Sequence, residues 1–187
     1  DAVHVDVMDG HFVPNISLGP KMVSAIDSAS DIFIDVHLMC YNPFKFIEMF
    51  IQSGADMITF HIEATEDVED TIDYIHKCNK LAGIAINPET SISMVLPFLS
   101  KCDVILLMSV QPGHGGQAFI EDVLEKIKLI SKFCSTLKKK PRIQVDGGIN
   151  FSTAKMCIDA GANSIVSGDF LNKQPSLMDA IEKMRKL

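Results

Sequence analysis

Apolar residues along the chain gather into seven short runs: VHVDV (3–7), IFIDVH (32–37), MITFHI (57–62), AGIAIN (82–87), VILLMSV (104–110), RIQVDG (142–147) and NSIVSG (163–168). Each is bounded by Gly, Pro, Asn or Asp and is rich in β-formers, which predicts a buried strand. Between them lie amphipathic segments with apolar residues at helical spacing, such as FKFIEMFIQSGAD (44–56) and IEDVLEKIKLISKF (120–133). Gly54 and Gly161 follow two such segments in the matching turns SGAD and DAGAN. A left-handed helix cap at those points needs a residue without a Cβ. No low-complexity linker interrupts the alternation, and we expect one domain over residues 1–187.

Strands alternating with helices predict a parallel sheet with right-handed crossovers. An open doubly wound sheet usually carries a GxGxxG fingerprint after a strand, and this chain has none. A closed (β/α)8 TIM barrel instead sets polar residues at the ends of many strands. Asp6, His37, His61, Met108, Asp146 and Gly168 sit at or near such ends. The fold expected is therefore an α/β barrel. Seven units are one short of eight, so this reading expects a first strand and helix that the chain lacks.

One strand breaks the apolar rule. In VHVDVMDGHF, His4, Asp6 and Met8 take every second position and so share one face. His37 ends the next run, with Met39 two residues on, and Asp146 ends the sixth. In a barrel these ends converge on the axis. Two histidines and two aspartates can hold a divalent ion such as zinc, iron or manganese. Each residue alone could equally be a core or capping group. Two carboxylates at one ion also suit proton transfer next to a carbonyl, one removing a proton and the other returning it through an enediolate.

Glycine-rich turns supply a second kind of chemistry. QPGHGGQAF, VDGGIN and VSGDFL each follow a strand and bare backbone N–H groups. At helix N-termini such groups bind anions without Lys or Arg, although each could be a simple tight turn. Met8, Met39 and Met108 near the strand ends could be core filling or an apolar shelf beside the ion. His61 and Glu63 alternate on the third run, so His61 could support the site from behind. His11 and His76 suggest no role.

Composition narrows the classes. The chain of 187 residues is 47% hydrophobic with net charge −7. Its one basic run, LKKKPR, reads as a solvated helix end, which argues against a nucleic-acid partner. Cys40, Cys78, Cys102, Cys134 and Cys157 are widely spaced, odd in number and without a CxxC, as expected of reduced thiols in a cytoplasmic protein. No apolar run reaches bilayer length, so no membrane partner is expected. No leader is visible, and the chain starts at Asp1.

Taken together, VHVDVMDGHFVPNISLG, DVHLM, ITFHIEA, INPET, LLMSVQPGHGGQAFI, IQVDGGIN and AGANSIVSG resemble the ribulose-phosphate 3-epimerase family from the first residue to about Asp169. The resemblance implies a TIM-barrel isomerase of carbohydrate metabolism, in the pentose phosphate pathway. It would interconvert ribulose 5-phosphate and xylulose 5-phosphate at C3. One divalent metal would be held by His4, Asp6, His37 and Asp146, with Asp6 and Asp146 as the catalytic pair. His37, Met8, Met39, Met108, Gly113, Gly115, Gly116, Gly147, Gly148 and Gly168 would touch substrate, with His114 and Asp169 in the same turns. A homo-oligomer is the family expectation.

The chain departs from the family at three places. The family's first strand, with its substrate-contacting Ser, has no counterpart here. His114 replaces a usual Phe, and Asp169 replaces a usual Ser after the last glycine. A carboxylate there would repel a phosphate unless it turns away. A hexulose-phosphate 3-epimerase, such as one acting on allulose 6-phosphate, is the alternative within the class. A non-catalytic truncated barrel is another. Related decarboxylases and lyases usually need a strand-end Lys, and no run here ends in one.

Overall fold

The computed structural model describes residues 1–187. They fall into two compact units, Asp1–Ala85 with Lys101–Val104, and Ile86–Ser100 with Ile105–Leu187. Seven strands follow one another in chain order in one sheet. The runs read from the sequence each overlap one of them, with ends displaced by at most a few residues.

The first unit carries β1 (Ala2–Met8), α1 (Pro20–Ala29), β2 (Phe33–Met39), α2 (Phe44–Gln52), β3 (Met57–His61), α3 (Val68–Lys77) and β4 (Leu81–Ile86, whose last residue lies in the second unit). β1 to β4 pair in parallel, each with the next. One face of these strands is apolar: Val5, Ile34, Val36, Leu38, Ile58 and Phe60 are 0–1% exposed. Val23, Ile47, Phe50, Ile72 and Ile75 of the helices are buried as well. Each such Ile, Leu or Phe contributes about 1.5–3 kcal/mol by leaving water. The opposite face holds His4, Asp6, Asp35, His37, Thr59 and Gly83, so the polar alternation in the sequence has a real face to occupy.

Two glycines in this unit take places that a side chain could not. Gly54 follows α2 with φ +105 in the left-handed region, as its turn predicted. A Cβ on Gly83 would stand 2.3 Å from the Thr59 hydroxyl on the neighbouring strand. Register places the two residues side by side, so one gives the other its room.

The second unit carries β5 (Val104–Met108, whose first residue lies in the first unit), α4 (Val123–Ser135), β6 (Arg142–Asp146), α5 (Phe151–Ala160), β7 (Ser164–Val166), α6 (Asp169–Asn172) and α7 (Leu177–Met184). β6 and β7 pair in parallel. Ile105, Leu106, Leu107, Ile127, Ile130, Val145, Ala154 and Cys157 are fully buried and form its core. Gly161 caps α5 in the left-handed conformation, again as expected. Lys126 of α4 donates to the carbonyls of Pro88 and Thr90, which fastens the INPET turn. No helix is long and apolar enough to cross a membrane.

The glycine turns differ from expectation in one respect. α4 begins at Val123, so the PGHGG glycines stand off its first turn rather than at its N-terminus. α5 has its own cap: Asn150 accepts from the N–H groups of Ser152 and Thr153, and Thr153 returns the bond. Any anion held by Gly147 and Gly148 would therefore use turn amides more than the helix end.

Candidate active site

The parallel register of β1 and β2 sets His4 beside Asp35 and Asp6 beside His37. His4 Nδ1 lies 2.7 Å from Asp35 Oδ2, and its Nε2 is 3.4 Å from Asp6 Oδ1. His37 Nδ1 is 3.0 Å from the same Asp6 oxygen. Both imidazoles thus converge on one carboxylate. The Asp6 side chain remains 42% exposed, whereas His37 is wholly buried. Asp6 is open to a small molecule while its partners are fixed from behind.

The protonation follows from these contacts. Burial pushes the Asp6 carboxyl up, but hydrogen bonds and attraction from His37 and His4 outweigh it and hold it well below the usual carboxylate range. Burial pushes His37 down to about 4, against the pull of Asp6. An ionised aspartate beside a neutral imidazole is the pair a cation needs.

Behind His37 the polar chain continues. His37 Nε2 is 2.9 Å from His61 Nε2, and His61 Nδ1 is 3.2 Å from Glu63 Oε2. The His37 and His61 rings stack at 5.0 Å, and Phe12 packs on His61 at 4.8 Å. Phe12 belongs to residues 9–17, which fold back beside the end of β1. There Asp9 accepts from the N–H groups of His11, Phe12 and Tyr41, at 2.8, 2.8 and 3.0 Å. Ser17 donates to the Asp6 carbonyl and accepts from Met8 N–H. Met8 is half-buried and Met39 is 1% exposed.

Sequence reasoning passed over Asp35, Asp9 and Ser17. Asp35 was findable, since it sits two residues before His37 on the same strand face. Asp9 and Ser17 act through backbone groups, which periodicity does not reveal. His11 rests edge-on against Tyr41, and His76 pairs with Asp103 at 2.7 Å.

In the second unit, Asp146 ends β6 and is half-buried. Its carbonyl accepts from Ser109 N–H at 2.7 Å and from the Ser109 hydroxyl at 2.9 Å. The same hydroxyl reaches the Gly147 carbonyl at 2.6 Å. Gly147 and Gly148 both have positive φ, and a Cβ on Gly148 would stand 2.8 Å from Phe119 N. Met108 is buried at the end of β5. In the PGHGG loop Gly113 is buried, and His114, Gly115 and Gly116 are exposed. The Gln117 amide braces this loop by donating to the carbonyls of Gln111 and His114. Space is open where Gly115 and Gly168 would carry a Cβ, so their backbones are accessible. The Asp169 carboxylate lies 3.7 Å from the Cβ position of Gly116 and pairs with Lys173 at 2.7 Å.

Comparison with known proteins adds relatives to this geometry. A family model described as "Ribulose-phosphate 3 epimerase family" matches residues 1–171. The "Ribulose-phosphate 3-epimerase" of Chlamydia muridarum is 49% identical over 177 residues, covering 94% of this chain and 78% of that protein. The Bacillus subtilis protein of that name is 42% identical over 186 residues, covering 99% and 86%. Among solved structures, the 3-hexulose-6-phosphate synthase of Salmonella typhimurium aligns with TM-score 0.70 at 14% identity, covering all of this chain and 97% of that one. The KGPDC of Streptococcus mutans aligns with TM-score 0.70 at 13% identity, covering 98% and 94%. At such identities these structures bear on fold alone, and the fold class is the TIM-type α/β barrel, seen here with seven strands.

Proposed function

The chain belongs to the ribulose-phosphate 3-epimerase family, and on that premise we propose that it interconverts D-ribulose 5-phosphate and D-xylulose 5-phosphate. The observation that carries the reading is the convergence of His4 and His37 on the Asp6 carboxylate at the strand ends of the first unit, and Asp146, at the end of β6, would supply the fourth ligand. Two imidazoles and two carboxylates fit a divalent zinc, iron or manganese ion. The contacts behind them support the fit. Asp35 takes His4 Nδ1 and His61 takes His37 Nε2, so the remaining nitrogens face Asp6. A bound ion would supply Lewis-acid polarisation of a substrate carbonyl and its neighbouring hydroxyl.

The side chains do the rest. Asp6, kept ionised, takes the proton from C3, and the C3–H electron pair passes into the C2–C3 bond of an enediolate. Asp146 delivers a proton to the opposite face of C3, and the reverse reaction exchanges the two roles. Asp6 suits the base because its hydrogen bonds favour the charged form. Met8, Met39 and Met108 would line the flat enediolate with polarisable, apolar sulfur, and His37 would touch substrate as well. Backbone amides of Gly113, Gly115, Gly116, Gly147, Gly148 and Gly168, with His114 at the loop tip, would hold the phosphate. Lys173 counters the charge of Asp169 next to Gly116, which supports an anion beside it.

The decisive experiment assays chelated and metal-reloaded protein on D-ribulose 5-phosphate and on allulose 6-phosphate. We expect turnover of the pentulose, abolished by chelation and restored by zinc, iron or manganese. Faster turnover of the hexulose would reassign the substrate. No epimerisation of either with any of the three ions would refute the proposal.

A further inference from the structure

We infer that His61 and Glu63 are positioning residues for the metal site, selecting the nitrogen that His37 presents to an ion. This rests on the reading above that His37 is a ligand. Neither residue reaches Asp6; both act through His37.

The hydrogen-bond order imposes a direction. A carboxylate only accepts, so Glu63 Oε2 requires the proton on His61 Nδ1, 3.2 Å away. A neutral His61 then has a bare Nε2. That nitrogen faces His37 Nε2 at 2.9 Å, and one of the two must donate. With His61 bare there, the proton sits on His37 Nε2. In an ion-loaded site, where the ion would replace the proton that His37 shares with Asp6, this leaves the lone pair on Nδ1, the nitrogen 3.0 Å from Asp6 Oδ1. The order set at Glu63 therefore reaches the ion site through two imidazoles and determines which nitrogen carries the lone pair.

His4 reaches the complementary result by a shorter route. Asp35 takes the proton of His4 Nδ1 at 2.7 Å, which leaves Nε2 on the Asp6 side. The structure thus presents opposite nitrogens of its two histidines, Nε2 from His4 and Nδ1 from His37. A carboxylate fixes each, one directly and one at a remove. Carboxylates behind ligating histidines orient the ring and raise its basicity, and losing one usually weakens metal binding by about 10- to 100-fold.

Geometry also favours orientation over simple packing. His61 is wholly buried between the stacked His37 ring and Phe12, so it cannot swing to another partner. The Glu63 side chain is 20% exposed, so changing it should leave the core intact.

The test uses cobalt(II) as probe, with affinity measured by chelator competition and coordination read from visible absorption. Glu63→Leu should weaken cobalt binding by about tenfold or more and alter the absorption bands. Glu63→Gln, whose amide oxygen still accepts from His61, should recover most of the affinity. His61→Phe should behave like Glu63→Leu. Melting temperature in the absence of metal should stay near wild type for both Glu63 variants. Wild-type affinity and spectrum in Glu63→Leu and His61→Phe would overturn the inference and leave the metal-site reading standing. Absence of cobalt binding in the wild type would overturn both.

Discussion

On the function proposed above, the strand ends of the two units would solve opposite electrostatic problems with opposite materials. At the ends of β1 to β3 the work falls to side chains: His4, Asp6, Asp35, His37, His61 and Glu63 are linked by contacts of 2.7 to 3.4 Å. At the turns after β5, β6 and β7 the work falls to backbone, with Gly115 and Gly168 bare and Gly147 and Gly148 in conformations that exclude a Cβ. A cation needs lone pairs, which side chains provide with adjustable basicity. A phosphate needs several N–H groups at close range, which only an unobstructed backbone provides. The first end should therefore govern the rate of chemistry, and the second should govern affinity.

The largest effect expected follows from the carboxylates. Asp6→Asn and Asp146→Asn should each lower kcat by about 10²- to 10⁴-fold, the range for removing a general acid or base. KM should change much less. Near-wild-type turnover in either variant would dissolve the two-carboxylate scheme and blur the division between the two ends.

Gly148→Ala should do the reverse. Its φ of +63 and the nearby Phe119 amide leave no space for a methyl group. Displaced amides should raise KM for the sugar phosphate by about tenfold, the scale of one or two hydrogen bonds to a charged group, with kcat largely preserved. Steady-state kinetics would show it, and a fall in kcat alone would argue that this turn serves chemistry.

Asp169→Ser should act more gently. Removing the carboxylate beside Gly116 should lower KM by about threefold at low ionic strength, and the gain should fade as salt screens the charge. Lys173→Met should raise KM by a similar factor. Insensitivity of both to salt would mean that the pair has no bearing on substrate.

The smallest effect concerns residues 9–17. Burial pushes the Asp9 carboxyl up, but the backbone N–H groups of His11, Phe12 and Tyr41 hold it below its ordinary value. A depressed carboxyl contributes its stabilisation fully above its unfolded pKa, about 4, and loses it as pH falls through the lower folded value. Hydrogen exchange of these amides should therefore accelerate at acid pH, ahead of amides in β2. Asp9→Ala should show the faster exchange already at neutral pH. Equal protection in both proteins at pH 7 would remove Asp9 as the anchor.

Much of this was legible in the chain before any coordinates. Strands announce themselves through alternation, so His4, Asp6 and Met8 could be put on one face from spacing alone, and Gly54 and Gly161 could be put at helix ends. What escaped was pairing across strands. Asp35 reads as one more polar residue until the register sets it beside His4. Asp169 reads as a repulsive charge until Lys173, one helical turn on, is seen to meet it. The turn glycines were found, but of their supposed helix N-termini only that of Gly168, the N-cap of α6, holds: Asn150 already caps α5, and α4 starts late. Capping competes for the same N–H groups as a ligand, and the outcome depends on geometry that composition does not carry.

Gly83 would give the protein a remote control on the proposed metal ligands. The space it leaves admits Thr59, and the Thr59 hydroxyl lies 3.5 Å from Asp35, the carboxylate that orients His4. A single added methyl on β4 would press Thr59 toward Asp35 and shift the imidazole beyond it. Ion preference could then drift by substitutions two strands away, with every ligand conserved. A comparison confined to the ligands would record no change at all.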